Sequence, residues 1–203
     1  LLNKTAQRNL SLKKQYLYNK KITFLVPNKK IHNDLIFSSI FNSKKHKVLK
    51  FYLSLDLKKY TQKKSKLKKK IVFSFRSSLN PRKGLKYLIK AVDKLLNINP
   101  TIIKLMHFNI LGNSSMLSFL DNKKISYNFY SLINNEKKLI KFYQESDFFI
   151  NQSIQDVGPT MVSESLACGI PVISFDIGMS KDLIKNDRNG YLIKTRSSTN
   201  LAK

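Results

Sequence analysis

The chain has 203 residues, 42% of them hydrophobic, with 38 Lys and Arg against 12 Asp and Glu for a formal net charge of +26. That length can bury one ordinary α/β core and part of another, and its apolar runs fall well short of the ~18 consecutive residues that a membrane span requires. The single cysteine, Cys168, excludes an internal disulfide and fits a reducing, cytoplasmic compartment.

In chain order, residues 22–26 form an apolar run suited to a strand, 27–42 a helix-like stretch and 47–52 a second strand. Residues 53–70 are polar, end in KKSKLKKK and lack apolar periodicity, which predicts a linker or domain-crossing segment. Residues 71–75 restart an apolar strand, and the turn Pro81-Arg82-Lys83-Gly84 follows. Leu85, Leu88, Ile89, Val92, Leu95 and Leu96 then stand at helical spacing, closed by residues 97–100. Strands are expected at 103–111, ended by Gly112, and at 127–133, with a helix at 139–143.

The segment DFFINQSIQDVGPTMVSESLACGIPVI, residues 147–173, reads as strand, loop, helix, strand. Residues 148–150 are the strand and 153–160 the loop, and helical residues from Met161 to Ala167 are stopped by Gly169 and Pro171. Cys168, between Ala167 and Gly169, reads as a small packing residue. Asp156 precedes the helix and Glu164 lies inside it, two turns in, at the carboxyl mouth of a parallel strand, where α/β folds bind ligands. Gly158, Pro159, Thr160 and Met161 lead into that helix, whose first N–H groups and dipole can hold an anion. Strands alternating with helices imply a parallel sheet covered on both faces.

Two acids with seven residues between them, a small-residue helix, a Gly-x-Pro-Val strand and an upstream Lys-Gly turn resemble the donor-binding half of the retaining GT-B glycosyltransferases of group 1. The QDVGPT form resembles the subgroup that builds surface polysaccharides. Downstream, Gly178-x-x-x-Asp182-Leu183-Ile184 and Asn189-Gly190-Tyr191-Leu192-Ile193 resemble the family's closing turn and Gly hairpin. The resemblance implies a GT-B, Rossmann-like doubly wound fold: residues 1–52 as the end of a truncated acceptor-binding domain, 53–70 as linker and 71–203 as the donor domain. It implies a nucleotide diphosphate sugar donor, a glycan or lipid-linked acceptor, retention of configuration and no metal or other cofactor. A GT-B enzyme has two such domains, so the chain is expected to be a fragment that binds nucleotide without catalysing transfer alone.

Residue by residue, the resemblance gives Asp156 the sugar hydroxyls and Glu164 the ribose hydroxyls, where an acceptor-only carboxylate suits a vicinal diol. Asp156 stands where the family usually has Glu, and a glycine usual in the first strand-end turn falls on Phe75. Bond breaking at the anomeric carbon loads negative charge onto the diphosphate, so fixed positive groups are needed there. Lys83 matches the family's Lys-Gly position, Gly84 allows close backbone approach, and Arg82 or Arg76 supplies the guanidinium. His32, His46 and His107 have no partner at ligand spacing, and no metal site is expected.

The charge also invites polyanion binding. The lysines are scattered rather than clustered, and a genome biased toward Lys, Asn and Ile accounts for the excess. The remaining reading is peripheral contact with an anionic membrane at its inner face, at ~1 kcal/mol per nearby lysine. Nucleic acid is disfavoured, because no aromatic-interleaved RNA-binding motif is present. Two alternatives stay open: an inactive nucleotide- or polyanion-binding module, and a sugar-nucleotide epimerase of the same fold.

Overall fold

The computed structural model describes residues 4–51, 54–62 and 69–203, which fall into two compact units, Leu1–Leu53 and Ser54–Lys203. The first unit contains helix α1 (Lys4–Leu17), strand β1 (Ile22–Val26), helix α2 (Lys29–Ile36) and strand β2 (His46–Lys50), with β1 and β2 paired in parallel. Asn28 starts α2 by accepting a hydrogen bond from the N–H of Ile31 at 2.9 Å. His46 is buried, accepts from the N–H of Asn42 at Nδ1 and donates from Nε2 to the carbonyl of Leu17. Its ring meets Phe24 and Phe41 edge-on. That accounts for the histidine as a core tether between α1 and β2.

The second unit opens with β3 (Ile71–Ser77), a 3₁₀ turn at Pro81–Lys83, and α3 (Leu85–Ile98). A second 3₁₀ turn at Pro100–Leu105 leads into β4 (Met106–Gly112), followed by α4 (Leu117–Asn122), β5 (Ser126–Tyr130) and α5 (Glu136–Gln144). The chain continues through β6 (Phe148–Asn151), α6 (Thr160–Ala167), β7 (Val172–Phe175), α7 (Ser180–Leu183), β8 (Gly190–Ile193) and α8 (Ser198–Ala202). The six strands form one all-parallel sheet in the order β5-β4-β3-β6-β7-β8. A parallel sheet is buried on both faces, which is why its central strands read as near-continuous apolar runs.

The side chains of adjacent residues leave opposite faces of a strand, and the two cores follow that rule. Ile110 and Ile150 join Phe75, Leu88, Val92 and Phe108 under α3, whereas Leu111 and Phe149 join Phe142, Tyr143, Val162 and Val172 under α5 and α6. Each fully buried aliphatic side chain contributes roughly 1.5–3 kcal/mol. At the amino end of the sheet, Asp147 ties β6 to β3 by accepting from the N–H of Val72 at 2.8 Å.

Several expectations change. The strand expected at 103–111 begins only at Met106, because Asn99 caps the N–H of Thr101 and Pro100 starts a helical turn that lays Ile102 and Ile103 against the α3 core. The strand expected at 127–133 ends at Tyr130, and Leu132 is 71% exposed. The segment read as a Gly hairpin is instead β8, running parallel to β7, with Gly190 paired to Val172. Phe75 is an interior strand residue, buried edge-on to Phe108, so the turn after β3 begins only beyond Ser77. Helices α1, α4 and α8 lie outside the elements expected from the sequence, and the expected closing turn is the short helix α7. Of the segment read as linker, residues 53 and 63–68 lie outside the described residues, as does Tyr52. Within 54–62, Tyr60 is buried in the α5–α6 core, Lys59 pairs with Glu136 at 2.9 Å, and Gln144 donates to the carbonyl of Thr61.

Candidate functional site

The strand order reverses direction between β3 and β6, and the crevice outside the carboxyl ends of such strands is where open α/β sheets bind ligands. A cleft lies there, lined by Arg76 from the end of β3, Lys83 from the 3₁₀ turn, and Asp156, Gly158, Pro159, Thr160 and Met161 from the β6–α6 connection. Arg82 and Gly84 do not line it, and neither does Glu164. Both arginines are exposed; Arg76 lines the cleft, whereas Arg82 does not, and its carbonyl accepts from the N–H of Ile154.

Three contacts join the segments that carry the charged groups. Gln152 Nε2 donates to the carbonyl of Arg76 at 2.7 Å, and the N–H of Ile154 donates to the carbonyl of Arg82 at 2.8 Å. Gly84 adopts φ +68, and a Cβ there would stand 1.9 Å from the carbonyl oxygen of Gln152. The close approach this glycine permits is thus to the chain's own β6–α6 loop. Gln152 and Asn151 are buried, polar and essential to this geometry, yet neither stood out in the sequence. Asn151 Nδ2 donates to Ser174 Oγ and Ser180 Oγ, so β6, β7 and the start of α7 share one buried network beneath the cleft. The only signal for these residues was their position directly after an apolar strand.

Within the cleft, Lys83 Nζ donates to Asp156 Oδ2, the side chains being 36% and 15% exposed. The pair is partly dry and charge-assisted, so each group holds the other in place. Helix α6 begins at Thr160 with Pro159 as its cap residue and no side-chain cap, which leaves its amino end available to an acceptor. Glu164 lies one turn into α6 rather than two, at i+4 from Thr160 and i+3 from Met161, on the helix face that continues from the cleft. Its carboxylate accepts a 2.5 Å hydrogen bond from the phenol of Tyr143. Cys168 is buried, and burial followed by the charge of Glu164 pushes its thiol up to about 11.

An all-parallel sheet in this order, with a charged cleft at its switch point, defines a Rossmann-like, doubly wound α/β domain. Residues 56–203 match the family described as Glycosyl transferases group 1, and the chain belongs to that family. It is 26% identical over 159 residues, 69% of its length, to the Escherichia coli UDP-Gal:alpha-D-GlcNAc-diphosphoundecaprenol alpha-1,3-galactosyltransferase, of which it spans 39%. Among solved structures, sucrose-phosphate synthase from Thermosynechococcus elongatus superposes with a TM-score of 0.73 at 15% identity, over 100% of this chain and 53% of that one. HepE from Anabaena, solved in complex with UDP and glucose, gives 0.65 at 17% identity, over 97% of this chain and 56% of that one. The structural likenesses establish the fold.

Proposed function

We propose that the chain carries the donor site of a glycosyltransferase that moves a sugar, with retention, from a nucleoside diphosphate sugar to a glycan or lipid-linked acceptor in surface polysaccharide assembly. The observation that carries this reading is the convergence of Arg76, Lys83, Asp156 and the amino end of α6 on one cleft, with Glu164 one helical turn further along. Two cations suit the diphosphate, whose charge grows as the anomeric C–O bond breaks and the acceptor oxygen bonds to the same carbon. Asp156 suits a sugar hydroxyl beside the reacting carbon, and Glu164 the ribose diol. Arg76 and Lys83 are proposed to meet that charge in place of a divalent cation, with Asp156 giving up part of its hold on Lys83 when the diphosphate binds. The likeness to a galactosyltransferase named for a UDP-sugar and a diphosphoundecaprenol acceptor, and to a fold partner solved with UDP, supports the donor and acceptor classes.

Residues 1–52 are proposed as the end of the acceptor-binding domain and 71–203 as the donor domain. The chain spans well under two thirds of these relatives, so acceptor recognition and transfer are assigned to a longer protein. Described residues include no helix long and apolar enough to cross a membrane, and a lipid-linked acceptor would be met through peripheral contact of the basic surface with anionic lipid at the cytoplasmic face. Calorimetry of the chain with UDP, GDP and ADP, repeated on Arg76→Ala and Lys83→Ala, tests the donor site. Wild-type binding of at least one diphosphate, weakened by about 1–3 kcal/mol in each variant, is expected. Equal binding by wild type and both variants would remove the cleft from consideration.

A further inference from the structure

Glu164 is held from behind. Tyr143, on α5, is fully buried and packs edge-on against Phe142 and Phe149, so both torsions of its side chain are fixed. Its phenol donates to Glu164 Oε2 at 2.5 Å. Burial, and then the charge of Glu164, push the phenol far above the ordinary tyrosine range, so it remains a donor wherever the protein is folded. A buried phenol needs an acceptor, and here the acceptor is a half-buried glutamate on the neighbouring helix rather than a backbone carbonyl.

We propose that Tyr143 is a positioning residue for nucleotide recognition: its O–H fixes Glu164 in one rotamer beyond the diphosphate cleft, presenting the carboxylate to the 2′ and 3′ hydroxyls of the donor ribose. This rests on the ribose reading of Glu164 given above. A half-exposed glutamate on a helix has three free torsions, and a ligand that must order them binds more weakly. The hydrogen bond removes that ordering before the ligand arrives. An ionised carboxylate has about four acceptor positions, and Tyr143 occupies one, leaving enough for a diol. The spacing also suits the ligand, since four residues of helix from Thr160 to Glu164 advance ~6 Å along the axis, comparable to the step from a diphosphate to its ribose. Tyr60, also buried and raised first by burial and then by Glu164, senses the same charge and serves as the control.

The test is calorimetry of the 203-residue chain with UDP, GDP and ADP and their 2′,3′-dideoxy forms. Tyr143→Phe keeps the ring and is expected to weaken the ribonucleotide by about three- to ten-fold, one net hydrogen bond, while leaving the dideoxy form within about two-fold. Glu164→Ala should abolish the preference for ribose, Tyr143→Phe should add nothing in that background, and Tyr60→Phe should leave the preference intact. If Glu164→Ala abolishes the preference but Tyr143→Phe does not touch it, the ribose reading stands and the positioning role is overturned. Equal losses on both nucleotide forms, or the same effect from Tyr60→Phe, would show general packing and also overturn it. If Glu164→Ala leaves the preference unchanged, or no diphosphate binds, the ribose reading falls and the positioning role falls with it. A measurement that needs no Tyr143 variant is the slowly exchanging phenol proton in the wild-type NMR spectrum. It should vanish in Glu164→Ala and shift with the ribonucleotide but not the dideoxy form, and a signal indifferent to both ligands would refute the proposal.

Discussion

Replacing Asp156 by Asn separates the two tasks that the Lys83–Asp156 pair combines. In the free protein Asp156 neutralises the lysine proposed to meet the diphosphate, and it places a negative charge in the same cleft. A bare nucleoside diphosphate, which brings no sugar hydroxyl for Asp156 to hold, meets only the repulsion. Both side chains are partly exposed, so an effective dielectric of ~20–40 applies. For a phosphate bound ~7 Å away, Coulomb's law at that dielectric makes the like charge cost about 1–2 kcal/mol. Asp156→Asn should therefore bind UDP about five- to thirty-fold more tightly than wild type, while losing any preference for a UDP-sugar over UDP. The gain should shrink as salt is raised, because exposed charges are screened beyond the Debye length. Stability should fall by no more than ~1 kcal/mol, since Lys83 remains accessible to water once unpaired. Calorimetry with UDP and a UDP-sugar panel at two salt concentrations measures all of this. Weaker UDP binding by the Asn variant would refute the reasoning, because it would mean that Asp156 aligns Lys83 more than it competes for it.

Under the proposed function, Lys83→Ala should lower the transfer rate more than it raises the donor KM, because diphosphate charge grows toward the transition state, and Lys83→Arg should restore part of it; normal turnover by the alanine variant would reduce the turn to a solvated one. Gly84→Ala should destabilise the chain by at least ~2 kcal/mol, given φ +68 and a Cβ 1.9 Å from a carbonyl oxygen, and an unshifted melting temperature would contradict the packing described. Cys168 should resist iodoacetamide at pH 8 in the folded chain and react in urea, since its thiol is buried and pushed up to about 11. Its linkage has a definite sign: the folded pKa lies above the ordinary value of ~8.5, so its contribution is complete below ~8.5 and is lost as pH rises toward 11. Urea unfolding of wild type against Cys168→Ser across that range reads it.

The parts legible in the sequence were those with strong local signals. Strand β6, helix α6 and strand β7 announce themselves through an apolar run, a loop rich in Gly and Pro, and a Gly-x-Pro stop, and the position of Asp156 follows from those elements, as that of Lys83 follows from the Pro-Arg-Lys-Gly turn between β3 and α3. The residues that tie them together were not legible, because their roles are tertiary. Gln152 has no helical or strand period to betray it, and its amide matters only because the carbonyl of Arg76 stands opposite. Tyr143 looked like one more apolar position of α5, since a phenol's partner 21 residues away leaves no trace in local spacing. The early start assigned to β4 failed for a different reason: Ile102 and Ile103 are as apolar as strand residues, and only the Asn99-Pro100 cap diverts them into a helical turn.

The cleft's geometry depends on two glycines that flank the β6–α6 loop. Gly84 presses on the carbonyl of Gln152 at the loop's start, and Gly178, at φ +46, would put a Cβ 2.4 Å from the carbonyl oxygen of Asp156 and 2.7 Å from that of Val157. Each glycine lets another backbone approach where any side chain would push the loop outward. The loop is thereby confined between the turn that carries Lys83 and the segment after β7, and this backbone packing holds Asp156 beside Lys83. Such confinement sets the charges without asking a ligand to order them, which is what electrostatic stabilisation of a developing diphosphate charge requires. With the backbone pressed against Gly178 and tied by Ile154 to the carbonyl of Arg82, the loop brings the short side chain of Asp156 within reach of Lys83.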